Sequence, residues 1–183
     1  MLARTSSVHD TRDLAAALAD LLRPGDLVLL TGEMGAGKTA FAQGLGGGLG
    51  VEGRITSPTF TIAHTYEGGR LRLHHLDVYR LNHLHEALDV GLAEMVDDGA
   101  VVVIEWGDAV RAVLPGEYLE IRITFGSAPV TADGAEDAAP GAGTGDDDDP
   151  DERRWHLRPV GPRWKARADG LRATLGRWED PTC

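Results

Sequence analysis

The sequence of 183 residues has one cysteine, few aromatic residues and no long apolar run. Because Cys183 is the only cysteine, we expect neither an internal disulfide nor a cysteine zinc site, which is typical of a reducing compartment. No stretch approaches about eighteen consecutive apolar residues, and the chain begins without an apolar signal region, so we expect no membrane span. A hydrophobic fraction of 42% still permits one ordinary domain, and we expect that domain to be cytoplasmic.

Lysine is also scarce, since the chain has only Lys38 and Lys165 beside sixteen arginines. Lys38 lies in TGEMGAGKTA, where Gly32, Gly37, Lys38 and Thr39 fit the pattern G-x-x-x-x-G-K-[ST]. In such a loop, glycines let backbone N–H groups turn toward phosphate oxygens, and a slim lysine carries a compact charge. The predicted phosphate-binding residues are Gly32, Glu33, Met34, Gly35, Ala36, Gly37, Lys38, Thr39 and Ala40.

The surroundings of this loop match what the pattern requires. Residues 26–30 form an apolar run of strand length, and residues 39–50 begin with helix formers. A second apolar run at 101–104 suits a buried central strand, and Glu105 follows it at the carboxyl edge of the sheet, where ligands bind. We therefore predict that Glu105 and the hydroxyl of Thr39 hold Mg²⁺ rather than that Glu105 is a surface acid.

The remaining patterns indicate an α/β protein. A first helix is expected to begin at Asp10 or Thr11, and strands at 59–66 and 70–77 are expected to form a β-hairpin. Residues 82–96 have helical periodicity, and residues 117–125 alternate as a further strand. The predicted fold is a three-layer P-loop NTPase-like fold whose mixed sheet has a parallel core and added antiparallel strands.

The net charge of −11 comes largely from one segment. Residues 126–152 hold nine acids and no lysine or arginine, with much Gly, Ala and Pro, which predicts a disordered acidic insertion. It separates a P-loop core at 1–125 from a C-terminal part at 153–183. That part has eight basic residues and Trp155, Trp164 and Trp178, a mixture compatible with RNA binding. We favour instead a last strand and a short helix whose tryptophans pack on the domain.

Spacing alone leaves several other candidates open. Asp77 ends the second hairpin strand, where it could act chemically or cap a turn. Thr56, Ser57 and Thr59 lie in TSPTF, which could be a hydroxyl loop that senses the γ-phosphate and Mg²⁺ or an ordinary turn. His74 and His75 are adjacent and face opposite sides of a strand, so they cannot form one metal site unaided.

Taken together, GEMGAGKT, TSPTF, HHLDVYR and VIEWGD resemble, in order and separation, the bacterial TsaE (YjeE) family. The resemblance extends from about residue 10 to residue 125 and resumes at RRWHLRP. It implies a small P-loop ATPase that uses ATP and Mg²⁺. Its site would contain Lys38 on phosphate, Thr39 and Glu105 on Mg²⁺, and Asp77 as a catalytic or water-orienting acid.

The same resemblance implies further nucleotide contacts and partners. Thr59 would be a switch-like residue, Trp106 would lie by the nucleotide, Thr11 would approach the adenine, and Arg154 would approach the nucleotide from the last strand. The family acts with TsaD–TsaB partners, which transfer a threonylcarbamoyl group to adenosine-37 of ANN-decoding tRNAs. The ATP cycle of TsaE would support repeated turnover of that complex, so tRNA is an indirect partner and no membrane is involved.

Other P-loop functions remain alternatives. A small-molecule kinase needs an arginine-bearing lid, and no lid-like helical pair accompanies Arg70, Arg72 and Arg80. A GTPase needs N-K-x-D, whereas the only asparagine, Asn82, is followed by His83. A nucleotide-dependent binding module with negligible hydrolysis would have the same sequence pattern.

Overall fold

The apolar run before the phosphate-binding loop forms a central strand of a mixed sheet in the computed structural model. The structure describes residues 1–58, 61–79, 91–107, 110–111, 114–126 and 151–180. In these residues the strands are β1 (Leu2–Thr5), β2 (Leu27–Gly32), β3 (Ala63–Tyr66), β4 (Leu73–Asp77), β5 (Val101–Glu105), β6 (Tyr118–Phe125) and β7 (Arg153–Val160). The helices are α1 (Val8–Ala19), α2 (Lys38–Leu49), α3 (Leu92–Asp97), α4 (Pro162–Lys165) and α5 (Ala168–Leu175), followed by a 3-10 turn at Gly176–Trp178.

The centre of the sheet is parallel and its two sides are antiparallel. The strand order is β1–β7–β6–β2–β5–β4–β3, and β2 pairs in parallel with both β5 and β6. β4 also runs parallel to β5, whereas β3 forms the predicted hairpin with β4. β7 is antiparallel to β6 and to β1, so the mixed sheet predicted from the sequence is confirmed.

Helices cover both faces of this sheet, which explains why β2 and β5 are apolar without alternation. One apolar cluster joins α1 and α2 to the sheet, with Leu14, Leu18, Phe41 and Leu45 among its buried members. A second cluster on the other face includes Leu92 of α3 together with side chains from β2, β4 and β5. The described residues therefore form the predicted three layers. None of their helices is both long and apolar enough to cross a bilayer.

Two predicted helix boundaries are wrong. α1 is capped by Ser7 rather than by Asp10 or Thr11, because the Ser7 hydroxyl accepts from the backbone N–H of Asp10 at 3.1 Å. Asp10 in turn accepts from the backbone N–H of Ser6, the residue before the cap, which further fixes the start of the helix. The predicted helix at 82–96 does not continue through Gly91, whose φ of 77° is left-handed, and α3 begins only after it. Residues 80–90 lie outside the described part.

The C-terminal segment packs against the first elements of the chain. Trp155 is fully buried, stacks on Phe41 at 5.4 Å and donates its indole N–H to Thr5. Trp164 and Trp178 are also buried, as the packing interpretation predicts. Strand β1 was not predicted, because four residues leave too little pattern to detect. The predicted disordered insertion lies mostly at residues 127–150, outside the described part.

Glycines on one side of α2 allow this helix to approach α1 closely. A Cβ atom on Gly44 would lie 2.2 Å from the carbonyl oxygen of Arg12, and one on Gly48 would lie 2.6 Å from that of Ala16. Gly47 is on the same helix and would meet nothing within 4 Å. The spacing of four residues places Gly44 and Gly48 on one helical face, so the backbones pack where side chains would otherwise separate them.

We predict that Gly44→Ala destabilises the protein by about 1–3 kcal/mol, because the helices must move apart to admit the methyl group. Gly47→Ala is the matched control, and it should be neutral or stabilising by up to about 1 kcal/mol, since alanine favours an exposed helix position. Urea unfolding followed by circular dichroism measures both variants. Equal stability of the two variants would show that the close approach of the helices is not needed.

Candidate functional site

Three strand ends meet at the carboxyl edge of the sheet and form a cleft. The register places Glu105 beside Leu30 of β2 and beside Asp77 of β4. Parallel strands end at the same edge, so both acids lie next to the loop that follows β2. The cleft has a volume of about 430 Å³ and is lined by Met34, Gly35, Gly37, Lys38, Thr39, Ala40, Ser57, Asp77, Tyr79, Glu105 and Trp106.

The loop adopts backbone angles that its glycines permit. Gly35 and Gly37 have φ of 80° and 110°, and Gly37 is the N-cap of α2 without a side-chain cap bond. Gly32 has φ of 142°, and a Cβ atom there would lie 2.5 Å from the carbonyl oxygen of Ile123 on β6. The loop thus leaves the first N–H groups of α2 facing the cleft, which suits an anion.

Lys38 is held at the loop by backbone oxygens and by an aromatic ring. Its side chain is buried, and its Nζ donates to the carbonyl oxygens of Gly32 at 2.7 Å and Glu33 at 2.8 Å. The same Nζ lies 3.6 Å from the centre of the Trp106 ring, a cation–π contact. Trp106 has φ of 62°, which is unusual for a residue other than glycine and marks a specific local constraint. The ammonium group is therefore positioned at the cleft.

The two predicted metal ligands contact each other. The hydroxyl of Thr39, at the start of α2, donates to Glu105 Oε1 at 3.0 Å. Glu105 Oε2 lies 3.4 Å from the same hydroxyl oxygen, a separation at which both oxygens can reach one hard cation, so the pair fits Mg²⁺. No group of three or more His, Cys, Asp or Glu side chains among the described residues forms a metal cluster. One carboxylate beside one hydroxyl suits Mg²⁺, which commonly binds one carboxylate together with substrate phosphates and water.

Asp77 is joined to the TSPTF segment and to its own turn. Its Oδ2 accepts from the hydroxyl of Ser57 at 3.2 Å, and its Oδ1 accepts from the backbone N–H of Tyr79 at 3.0 Å. The Tyr79 ring lies 4.7 Å from the ring of Trp106, so the aromatic pair forms one wall of the cleft. The buried carboxylate of Asp77 thus has both a structural contact and a place at the cleft.

Two predicted nucleotide contacts do not line this cleft. Thr11 is buried on α1, and its hydroxyl lies 3.0 Å from that of Thr5. Arg154, near the beginning of β7, forms an ion pair with Glu152 at 3.7 Å. Thr59 lies outside the described residues. The roles predicted for Thr11, Arg154 and Thr59 stay predictions.

Sequence reasoning missed the parts played by Tyr79 and His75. Tyr79 follows Asp77 by two residues and was not singled out. His75 is fully buried, and its Nε2 lies 2.8 Å from Glu105 Oε1. The adjacent His74 faces the other way, where its Nδ1 contacts Thr65 at 2.9 Å and burial lowers the pKa of its imidazole. The opposite orientation of the two histidines could be predicted, but the contact with Glu105 depends on strand pairing.

The parallel core, the glycine loop before α2 and the covering helices define an α/β protein of the P-loop NTPase-like class. The family model described as threonylcarbamoyl adenosine biosynthesis protein TsaE matches residues 5–129. The chain therefore belongs to the TsaE family, as the sequence resemblance predicted.

Individual relatives agree with this assignment. A tRNA threonylcarbamoyladenosine biosynthesis protein TsaE from Treponema pallidum is 45% identical over 128 residues, which cover 70% of this chain and 90% of the relative. A protein of the same name from Streptomyces coelicolor is 49% identical over 115 residues, covering 61% of this chain and 77% of the relative. The crystal structure of Bacillus subtilis YdiB has a TM-score of 0.71 at 30% identity and covers 94% of each chain.

We predict that Lys38→Ala weakens ATP binding by at least about tenfold, because a hydrogen bond from a charged group to phosphate is lost. The other lysine, Lys165, is exposed on α4 and provides the control variant Lys165→Ala. Isothermal titration calorimetry measures the ATP affinity of both variants. Unchanged affinity in Lys38→Ala would contradict the assignment of the loop as a phosphate site.

Proposed function

We propose that this protein binds ATP with Mg²⁺ in the cleft and hydrolyses it to support threonylcarbamoyl modification of tRNA. The carrying observation is the arrangement of Lys38, Thr39 and Glu105, which converge on one loop at the carboxyl edge of the sheet. Membership of the TsaE family supports the assignment of this site to tRNA modification. A cytoplasmic location is part of the proposal.

Each group in the cleft has a distinct task in this proposal. The first N–H groups of α2 and the Lys38 ammonium bind the phosphates, and Lys38 exchanges its carbonyl contacts for phosphate oxygens. Thr39 and Glu105 hold Mg²⁺, which when bound neutralises negative charge on the phosphates. The face of the Trp106 ring, with the Tyr79 ring packed beside it, forms the wall next to the ammonium.

In this proposal, Asp77 acts on the attacking water. Its carboxylate lies on β4 beside Glu105 on β5, with the Ser57 hydroxyl attached to one of its oxygens. A carboxylate in this position would orient a water and accept its proton as the water oxygen bonds to the γ-phosphorus and the bond to the β–γ bridging oxygen breaks, which releases ADP. Ser57 ties this acid to the TSPTF segment, so movement of that segment would alter the position of the acid.

Family membership supports a proposal about partners. We propose that the chain acts with a TsaD–TsaB-type complex, which modifies adenosine-37 of ANN-decoding tRNAs, and that ATP hydrolysis here restores the complex for another cycle. The tRNA is then contacted through the complex. Two other functions compete with this proposal. A small-molecule kinase would transfer the γ-phosphate of ATP to another molecule, and a binding module would leave ATP intact.

The test compares ATP hydrolysis by the full chain alone, with a TsaD–TsaB pair, and with the pair plus substrate tRNA. We expect slow release of phosphate from the chain alone and faster release with partners, together with multiple modified tRNAs per complex. Nucleotide binding without hydrolysis under all three conditions would support a binding module. Phosphate transfer to a small molecule would support a kinase.

We predict that Asp77→Asn retains ATP binding but loses hydrolysis by at least about a hundredfold, because an amide cannot accept the proton. The amide can still accept from the N–H of Tyr79 and donate to Ser57, so the local turn should persist. Asp20→Asn, an exposed change at the end of α1, serves as the control. Phosphate release with partners present is the measurement, and near-normal release would make Asp77 a structural acid.

A further inference from the structure

Behind the cleft, a buried histidine contacts the carboxylate that faces the loop. His75 is fully buried and Glu105 is 2% exposed, and the two side chains meet through Nε2 and Oε1 at 2.8 Å. His75 is on β4 and pairs in register with Val103 of β5, so Glu105 is its diagonal neighbour on the adjoining strand. The contact is therefore fixed by the sheet itself.

Among the described residues, His75 uses one ring nitrogen, and its hydrogen-bond partner is Glu105. A carboxylate only accepts, so Nε2 carries the hydrogen and donates to Oε1. Within the described residues, Nδ1 of His75 has no hydrogen-bond partner, although it is buried. A histidine that served a general polar network would use both ring nitrogens, whereas in the described part of the chain this ring hydrogen-bonds to Glu105 alone.

Among the described residues, two side chains donate to Glu105, and both reach the same oxygen. Oε1 accepts from His75 at 2.8 Å and from Thr39 at 3.0 Å, whereas Oε2 has a longer contact with Thr39 at 3.4 Å. Donors from two elements, α2 and β4, therefore fix the rotation of the carboxylate about its last bond. Oε2 is the oxygen that is left for a cation or for water bound to it.

We infer that His75 is a positioning residue that holds the Glu105 carboxylate in the orientation required for Mg²⁺. The inference rests on the proposed function, in which Glu105 and Thr39 hold the ion. Without the His75 N–H, Glu105 can turn away from Thr39, and the buried carboxylate loses one of its two donors. Loss of a hydrogen bond to a metal ligand commonly lowers metal affinity by about tenfold to a hundredfold.

The experiment measures the Mg²⁺ concentration that gives half-maximal nucleotide binding to the full chain. His75→Leu removes the hydrogen-bond donor, and His75→Asn keeps a donor that is too short to reach Glu105. His75→Gln places an amide nitrogen near the position of Nε2. We expect the first two to raise the required Mg²⁺ by about tenfold to a hundredfold. His75→Gln should remain within about threefold of the unmodified protein, because it keeps the donor. Nucleotide affinity measured with a metal chelator present should be unchanged in all three.

A matched control is available on the same strand. His74→Leu changes another buried histidine, whose contact is with Thr65 and not with Glu105, so the Mg²⁺ requirement should not change. Glu105→Gln is the reference for loss of the metal ligand. Melting temperatures identify any variant that fails to fold. If His75→Leu fails to fold, the comparison of His75→Gln with His75→Asn tests the positioning role.

The outcomes separate this inference from the proposed function. If Glu105→Gln raises the Mg²⁺ requirement but His75→Leu and His75→Asn do not, the positioning role is wrong and the metal site stands. Equal effects of His75→Gln and His75→Asn would also overturn it, because reach of the donor would not matter. If Glu105→Gln leaves the Mg²⁺ requirement unchanged, the proposed metal role fails and the inference fails with it.

Discussion

The site depends on the parallel pairing of β5 with strands on both of its sides. Because β2 and β4 run in the same direction as β5, the glycine loop, Glu105 and Asp77 reach one edge of the sheet together. A shift of one residue in either register would turn an acid to the opposite face of the sheet. The apolar residues of these strands are buried on both faces, which makes such a shift costly. Core packing therefore determines the separation of the groups that face the cleft.

The C-terminal segment, which includes β7, stabilises the same arrangement at one side of the sheet. β7 joins β6 to β1, and Trp155 connects the sheet to Phe41 on α2 and to Thr5. Arg167, from the turn before α5, forms a buried ion pair with Asp26, immediately before β2. A buried pair of this kind gives little net stability, but leaving either charge alone is costly. At least one basic residue of this segment, Arg167, therefore lies inside the fold and is paired with an acid.

Local sequence predicted the elements whose conformation is set by nearby residues. The spacing of Gly32, Lys38 and Thr39 fixes a loop between a strand and a helix, and the apolar run before Glu105 predicts a central strand. Boundaries were less predictable, because Ser7 and Gly91 compete with equally plausible neighbours. The contact of His75 with Glu105 could not be predicted, since it joins residues thirty positions apart through strand pairing. Its signal in the sequence is only a histidine two residues before Asp77.

The distribution of tryptophans has an optical consequence. Trp155, Trp164 and Trp178 are buried in the domain, whereas Trp106 is half-buried at the cleft beside the Lys38 ammonium. Water-soluble quenchers reach an indole only where it is exposed, so their effect on fluorescence falls mainly on Trp106. The cation close to this ring also changes its emission, and displacement of Lys38 would alter both intensity and wavelength. If the cleft binds a nucleotide as proposed, Trp106 is the indole placed to report it against a background of three buried indoles.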